Sequence, residues 1–164
     1  MNEYDISTLN RDGSLLEDET VDQFHVQIYR DKDIRSDKIA DPLNLAFGSA
    51  LLKGYSLLGS PKSGSTLIVL LYWQTPPPQN LKVFVHLLGA PNANGSPLWA
   101  QDDHPAQPGR DPYRIDLVGV PSGGYTLELG VYDTVTGQRV TITNADSGTR
   151  IGDSGKLQDI EVAP

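Results

Sequence analysis

The chain contains no cysteine. That absence excludes a disulfide framework, a thiolate nucleophile and any zinc site built on cysteine. It leaves the compartment open, because exported domains also do without disulfides. Long apolar runs are missing too. None approaches the roughly 18 residues that a membrane span needs, so direct membrane insertion is not expected. Lys and Arg form no cluster, and 13 basic residues against 21 acidic ones give a formal net charge of −8. Such a field repels phosphate backbones and anionic headgroups, which argues against nucleic acid as a partner. The N-terminal stretch MNEYDISTLNRDGSLLEDET has no basic segment followed by an apolar one, so no signal peptide is expected in it. A chain that begins partway through a longer protein would hide any leader. Helical periodicity is the last absence. No window repeats apolar residues at 3.6-residue spacing between caps, and only RDKDIRSDKIAD, residues 30–41, has room for a helical turn.

What is present is turn chemistry and short apolar runs. The 164 residues include 16 Gly and 12 Pro, a balance that suits a loop-rich globular domain. Residues 1–22 are acidic and polar, and are expected to form a flexible lead-in with one short element near Leu15 and Leu16. Residues 23–164 are expected to form a single domain. From Phe24 the sequence alternates, with Phe24, Val26 and Ile28 on one side and His25, Gln27 and Tyr29 on the other. After Pro42 come nine runs rich in strand-forming residues: LNLAF, ALLKGYSLL, STLIVLLYW, LKVFVHLL, PLWAQD, YRIDLV, GYTLELGVYD, QRVTIT and KLQDIEV. Turn signals separate them, among them TPPPQN, APNANGSP, PSGG and DTVTG, whose glycine is expected to take positive φ and close a bulged hairpin. Eight or nine such strands predict an all-β fold of two packed antiparallel sheets, a β-sandwich of jelly-roll or immunoglobulin-like type.

Two runs carry the most conspicuous side chains. In STLIVLLYW, Leu67, Val69, Leu71 and Trp73 share one face and Ile68, Leu70 and Tyr72 the other, which predicts a strand covered on both sides. In LKVFVHLL, His86 falls between Phe84 and Leu88 on a mixed face, where it is expected to pack between its aromatic and aliphatic neighbours. The prolines between the runs cannot donate to a ladder and belong in the connecting loop.

The segments LLKGYSLL, LYWQ, VFVHLL, the pair Gln101–Asp102 and GYTLELGVYDTVTGQR recur in this order in a bacterial module that the chain resembles over roughly Pro42–Val140. That module lies C-terminal to the membrane portion of some polytopic glycosyltransferases of the dolichyl-phosphate-mannose-like type, and in other envelope proteins. The resemblance implies a non-catalytic, extracytoplasmic β-sandwich carried by a longer protein, with the transfer chemistry housed elsewhere. Its partner would be a glycan or the attached membrane-enzyme domain. The stretch between Gln101–Asp102 and the following strand, often longer in the family, is here only HPAQPGRDPY.

Catalytic motifs are not found. There is no GxSxG, no GxxxxGK[ST] and no Gly-rich loop opening a helix, so neither a catalytic residue nor a cofactor is expected. His25 alternates with polar residues and is expected to face solvent. His104 follows Asp102 and Asp103, but the chain lacks HxH and HExxH spacing, and no metal site is expected. Asp102, Asp103, Asp111 and Asp116, like Asp31, Asp33 and Asp37, do not fit a calcium-loop spacing and read as solvated turns. Glu128, within YTLELGVYD, is the acid best placed to point from a sheet face, which leaves a glycoside hydrolase as a minor alternative. A carbohydrate-binding module is the stronger one. In PLWAQDD simple alternation puts Trp99, Gln101 and Asp103 on one face, a ring beside polar groups as sugar recognition requires. Trp99, Gln101, Asp103 and His104 are therefore the candidate ligand-binding residues.

Overall fold

The computed structural model describes residues 39–164 and, before them, the backbone of strands β1 (Leu15–Val21) and β2 (Phe24–Tyr29). The expected flexible lead-in, apart from β1, and most of the segment offered for a helical turn lie outside the described residues. The chain divides into two compact units, Met1–Lys38 and Ile39–Pro164. In the first, β1 pairs antiparallel with β2, Val21 opposite Phe24, so the pairing joins residues on both sides of the expected boundary at residue 22.

The second unit is a two-sheet antiparallel β-sandwich. Its strands are β3 (Asp41–Phe47), β4 (Ala50–Leu58), β5 (Thr66–Thr75), β6 (Leu81–Leu88), β7 (Leu98–His104), β8 (Gly109–Asp116), β9 (Gly123–Asp133), β10 (Ile142–Asn144), β11 (Arg150–Gly152) and β12 (Gly155–Val162). One sheet runs β11-β10-β3-β4-β5-β8 and the other β12-β9-β6-β7. No described helix is long and apolar enough to cross a membrane.

Period-two alternation builds the core. Leu67, Val69, Leu71 and Trp73 of β5 face Val83, Val85 and Leu87 of β6 and Leu127, Leu129 and Val131 of β9 within one buried cluster. Each such side chain contributes roughly 1.5–3 kcal/mol by leaving water. Phe47 meets Trp73 edge-on at 5.6 Å between ring centroids. On the other face of β5, Leu70 is buried and Ile68 and Tyr72 are half-buried, in line with the two-sided pattern of the run.

Two glycines fix how the chain can run. Gly137 takes φ +70° in the turn after β9, as DTVTG predicts, and its N–H donates to Asp133 O. Gly54 sits at a register shift between β3 and β4, where a Cβ would come within 2.4 Å of both Asp41 O and the Ile39 side chain. Only a residue without a side chain lets the chain entering β3 cross there.

Candidate functional site

The functional candidates gather on and around β7, an edge strand of the four-stranded sheet. Its register against β6 slips between Leu87, opposite Ala100, and Leu88, opposite Leu98, which makes Trp99 the extra residue of a bulge. The bulge breaks the alternation that would have put Trp99 beside Gln101 and Asp103. Its ring instead packs against the core cluster, edge-on to Tyr125 at 6.0 Å, and its indole N–H donates to Ala90 O at 2.8 Å. Trp99 thus closes one end of the sandwich.

Beyond the bulge alternation resumes and splits QDDH between two places. Asp102 and His104 turn toward β8, at the margin of the other sheet. Asp102 Oδ2 accepts the Arg114 backbone N–H at 2.7 Å. The His104 ring lies flat on Tyr113 at 4.0 Å, with Nε2 3.3 Å from Pro112 O and Nδ1 3.0 Å from Pro105 O. Beneath it Asp111 is fully buried. Its Oδ2 accepts the Tyr113 hydroxyl at 2.8 Å and the Trp73 indole N–H at 3.2 Å, while Oδ1 has no hydrogen-bond partner and faces His104 Nδ1 at 3.9 Å. Burial pushes the Asp111 carboxyl above its ordinary range, against the pull of the Tyr113 hydrogen bond.

Gln101 and Asp103 lie on the outer face of the four-stranded sheet, opposite His86 and Phe84. Glu128 flanks His86 from β9. His86 Nε2 is 3.5 Å from Asp103 Oδ1 and Nδ1 is 3.9 Å from Glu128 Oε1. The ring stacks on Phe84 at 4.3 Å, and the Arg139 guanidinium covers Phe84 at 4.7 Å. Phe84 is buried yet stands apart from the core cluster. Its ring occupies the space over Gly130, where a Cβ would come within 2.3 Å of it. Burial and the Asp103 carboxylate both push the Tyr132 hydroxyl of this cluster up. His86 packs on Phe84, as its place in the run predicts, but it also meets two carboxylates. Its partners lie 17 and 42 positions away, and only strand register brings them together. Among the described residues no three His, Asp or Glu side chains converge as a set that holds a metal ion.

Further along the same outer face a cleft of about 710 Å³ opens across the ends of β6, β9 and β12. Leu88, Gly89, Ala90 and Ile160 give it an apolar side, and Thr126, Asp159 and Glu161 a polar one. Gly124 contributes no side chain, and a Cβ there would sit 3.5 Å from the Glu161 carboxylate. The polar side is partly committed. The Thr126 hydroxyl donates to Asp159 Oδ1 at 2.7 Å, and Lys156 Nζ to Asp159 Oδ2 at 2.6 Å. None of the four sequence-level candidates lines the cleft. Trp99 stands behind it, against Tyr125.

No protein-family model matches the chain, and no curated protein matches it.

Proposed function

We propose that this chain is a non-catalytic interaction module of a larger bacterial envelope protein, acting outside the cytoplasm, with the outer face of the four-stranded sheet as its contact surface. The observation that supports this reading is the cleft on that face, left open where Gly124 supplies no side chain and bordered by Thr126, Asp159 and Glu161. The contact surface is tested by amide hydrogen exchange in the complete gene product against the chain alone. Protection of β9 and β12 that appears only in the complete protein supports docking of the face on the remainder of that protein. Equal exchange in both counts against it.

The second reading is a carbohydrate-binding module, and the chemistry of the same cleft favours it. Its volume lies within the roughly 300–1,000 Å³ of small-ligand sites, with hydroxyl and carboxylate groups beside apolar surface. Titrating a panel of envelope glycans into labelled protein is expected to shift the amides of Leu88, Thr126 and Glu161. A Glu161→Gln variant should weaken that binding, and a folded Trp99→Ala variant should weaken it only through loss of support to Tyr125. An unresponsive panel would remove this reading without touching the first.

A further inference from the structure

We propose that His86 is an acid-sensitive latch: when the ring takes up a second proton from solvent, the imidazolium closes on Asp103 and Glu128, and Arg139 leaves its seat on Phe84. Both ring nitrogens face carboxylate oxygens, at 3.5 and 3.9 Å, and neither approach is a good hydrogen bond. His86 Nε2 and Asp103 Oδ1 are both buried without a hydrogen-bond partner. A neutral imidazole carries one proton and donates from one nitrogen, whereas an imidazolium donates from both. The setting therefore has acceptors for a charged ring, held slightly too far apart for a neutral one to use. Side-chain movements of about 0.6–0.8 Å on the Asp103 side and 1.0–1.2 Å on the Glu128 side would make two charge-assisted bonds at about 2.7–2.9 Å.

What opposes the closure is Arg139. Its guanidinium sits on the Phe84 ring, which stacks on His86. Phe84 cannot step aside cheaply, because its ring fills the space that Gly130 leaves. Two cations against one ring repel each other, even with Arg139 on the exposed side of it, so the seat suits Arg139 while His86 is neutral. The other groups facing the cluster leave this balance in place. Lys82, on β6 itself, stands opposite Tyr132, and Gln101 on β7 is uncharged. Lys156 on β12 stands opposite Glu128 but is engaged with Asp159.

Burial holds the His86 ring below its ordinary value of 6.5, against the pull of Asp103 and Glu128, with Arg139 adding to the burial effect. The ring is neutral at pH 7, and the latch acts in acid. Its linkage to folding has a definite sign. As pH falls through 6.5 the unfolded chain binds the proton first, so the stability His86 contributes is present above that pH and lost below it. The release of Arg139 would add a mobile cation to the outer face, whatever that face binds.

The test is a proton–carbon NMR titration of the full chain from pH 8 to pH 4, with the His86 signals assigned by their loss in a His86→Gln variant. The His86 ring is expected to titrate below 6.5, and the Phe84 ring and Arg139 side-chain signals to move with the same midpoint. Arg139→Gln should raise that midpoint and Asp103→Asn should lower it. A His86 midpoint at or above 6.5 would overturn the proposal. So would unmoved Phe84 and Arg139 signals, or loss of native dispersion across the whole spectrum before His86 titrates.

Discussion

Asp111 illustrates how much a single side chain can be asked to do inside a β-sandwich. Two donors from the core, the Tyr113 hydroxyl and the Trp73 indole, share one of its oxygens, and the other oxygen is orphaned beside His104. Burial raises its pKa, so between the ordinary carboxyl value of 3.8 and the higher folded value the native state binds more protons than the unfolded chain. Stability therefore falls as pH rises through that window, and the penalty is fully present at neutral pH. Asp111→Asn keeps an acceptor for both donors and has no charge to bury. Its stability, read from urea denaturation at several pH values, should lack this acidic slope and stand above that of the parent at pH 7. Asp111→Ala leaves two buried donors unpaired, each costing about 1–3 kcal/mol, and should be several kcal/mol less stable at every pH. Equal losses in the two variants would mean that the carboxylate matters through packing alone. Tyr55 is a milder case: its hydroxyl, bonded to Leu157 O and Gln158, is pushed up to about 12 by burial and the nearby Asp41.

Among the strands, β8 shows how this fold manages an edge. It borders the six-stranded sheet, and a strand there presents unpaired groups to solvent. Pro112 has no N–H to leave free, His104 stands at its carbonyl, and Asp102 accepts the next outward N–H, that of Arg114. Side chains of β7 thus stand in for a missing neighbouring strand. Asp102→Ala should cost about 1 kcal/mol, since the bond is half-exposed, and should raise the tendency to aggregate, measured by light scattering at partial denaturation. A variant that scatters no more than the parent would show that Pro112 and His104 protect the edge without Asp102. The same pair of strands marks what the sequence made legible. STLIVLLYW and LKVFVHLL declared their faces because alternation within a strand needs no knowledge of its neighbours. Gly109–Pro112 read as loop, because proline and glycine suppress a strand pattern that an edge position tolerates. QRVTIT read as one strand, yet Arg139 bridges Tyr132 while Ile142–Asn144 pairs with β3 in the other sheet. No glycine or proline marks that crossing. The grouping of His86 with Asp103 and Glu128, and the displacement of Trp99 by a bulge, depend on register between strands, which a single sequence does not display.

At the scale of the whole molecule, the two sheets need something more than apolar contact to keep one alignment, and the segment after β4 supplies it. The Ser63 N–H donates to Ala163 O and the Ala163 N–H to Pro61 O, a short parallel bridge onto the end of β12 in the four-stranded sheet. One residue on, the Gly64 N–H donates to Leu117 O and the Leu117 N–H to Ser65 O, just past β8 of the six-stranded sheet. The Ser63 hydroxyl adds a bond to Val120 O at 2.8 Å. One turn therefore fastens both sheets at the same end, and removing Ala163 and Pro164 frees only its β12 side. Two backbone hydrogen bonds at about 0.5–1.5 kcal/mol each predict a loss of roughly 1–3 kcal/mol. The sheets share one apolar cluster, so that loss should move a single cooperative transition of the sandwich to lower denaturant, with tryptophan fluorescence and far-UV circular dichroism shifting together. Trp73 reports on the six-stranded sheet and Trp99 on the four-stranded one. Separate midpoints for single-tryptophan versions of the shortened chain would show instead that this turn, and not the shared core, makes the two sheets fold as one.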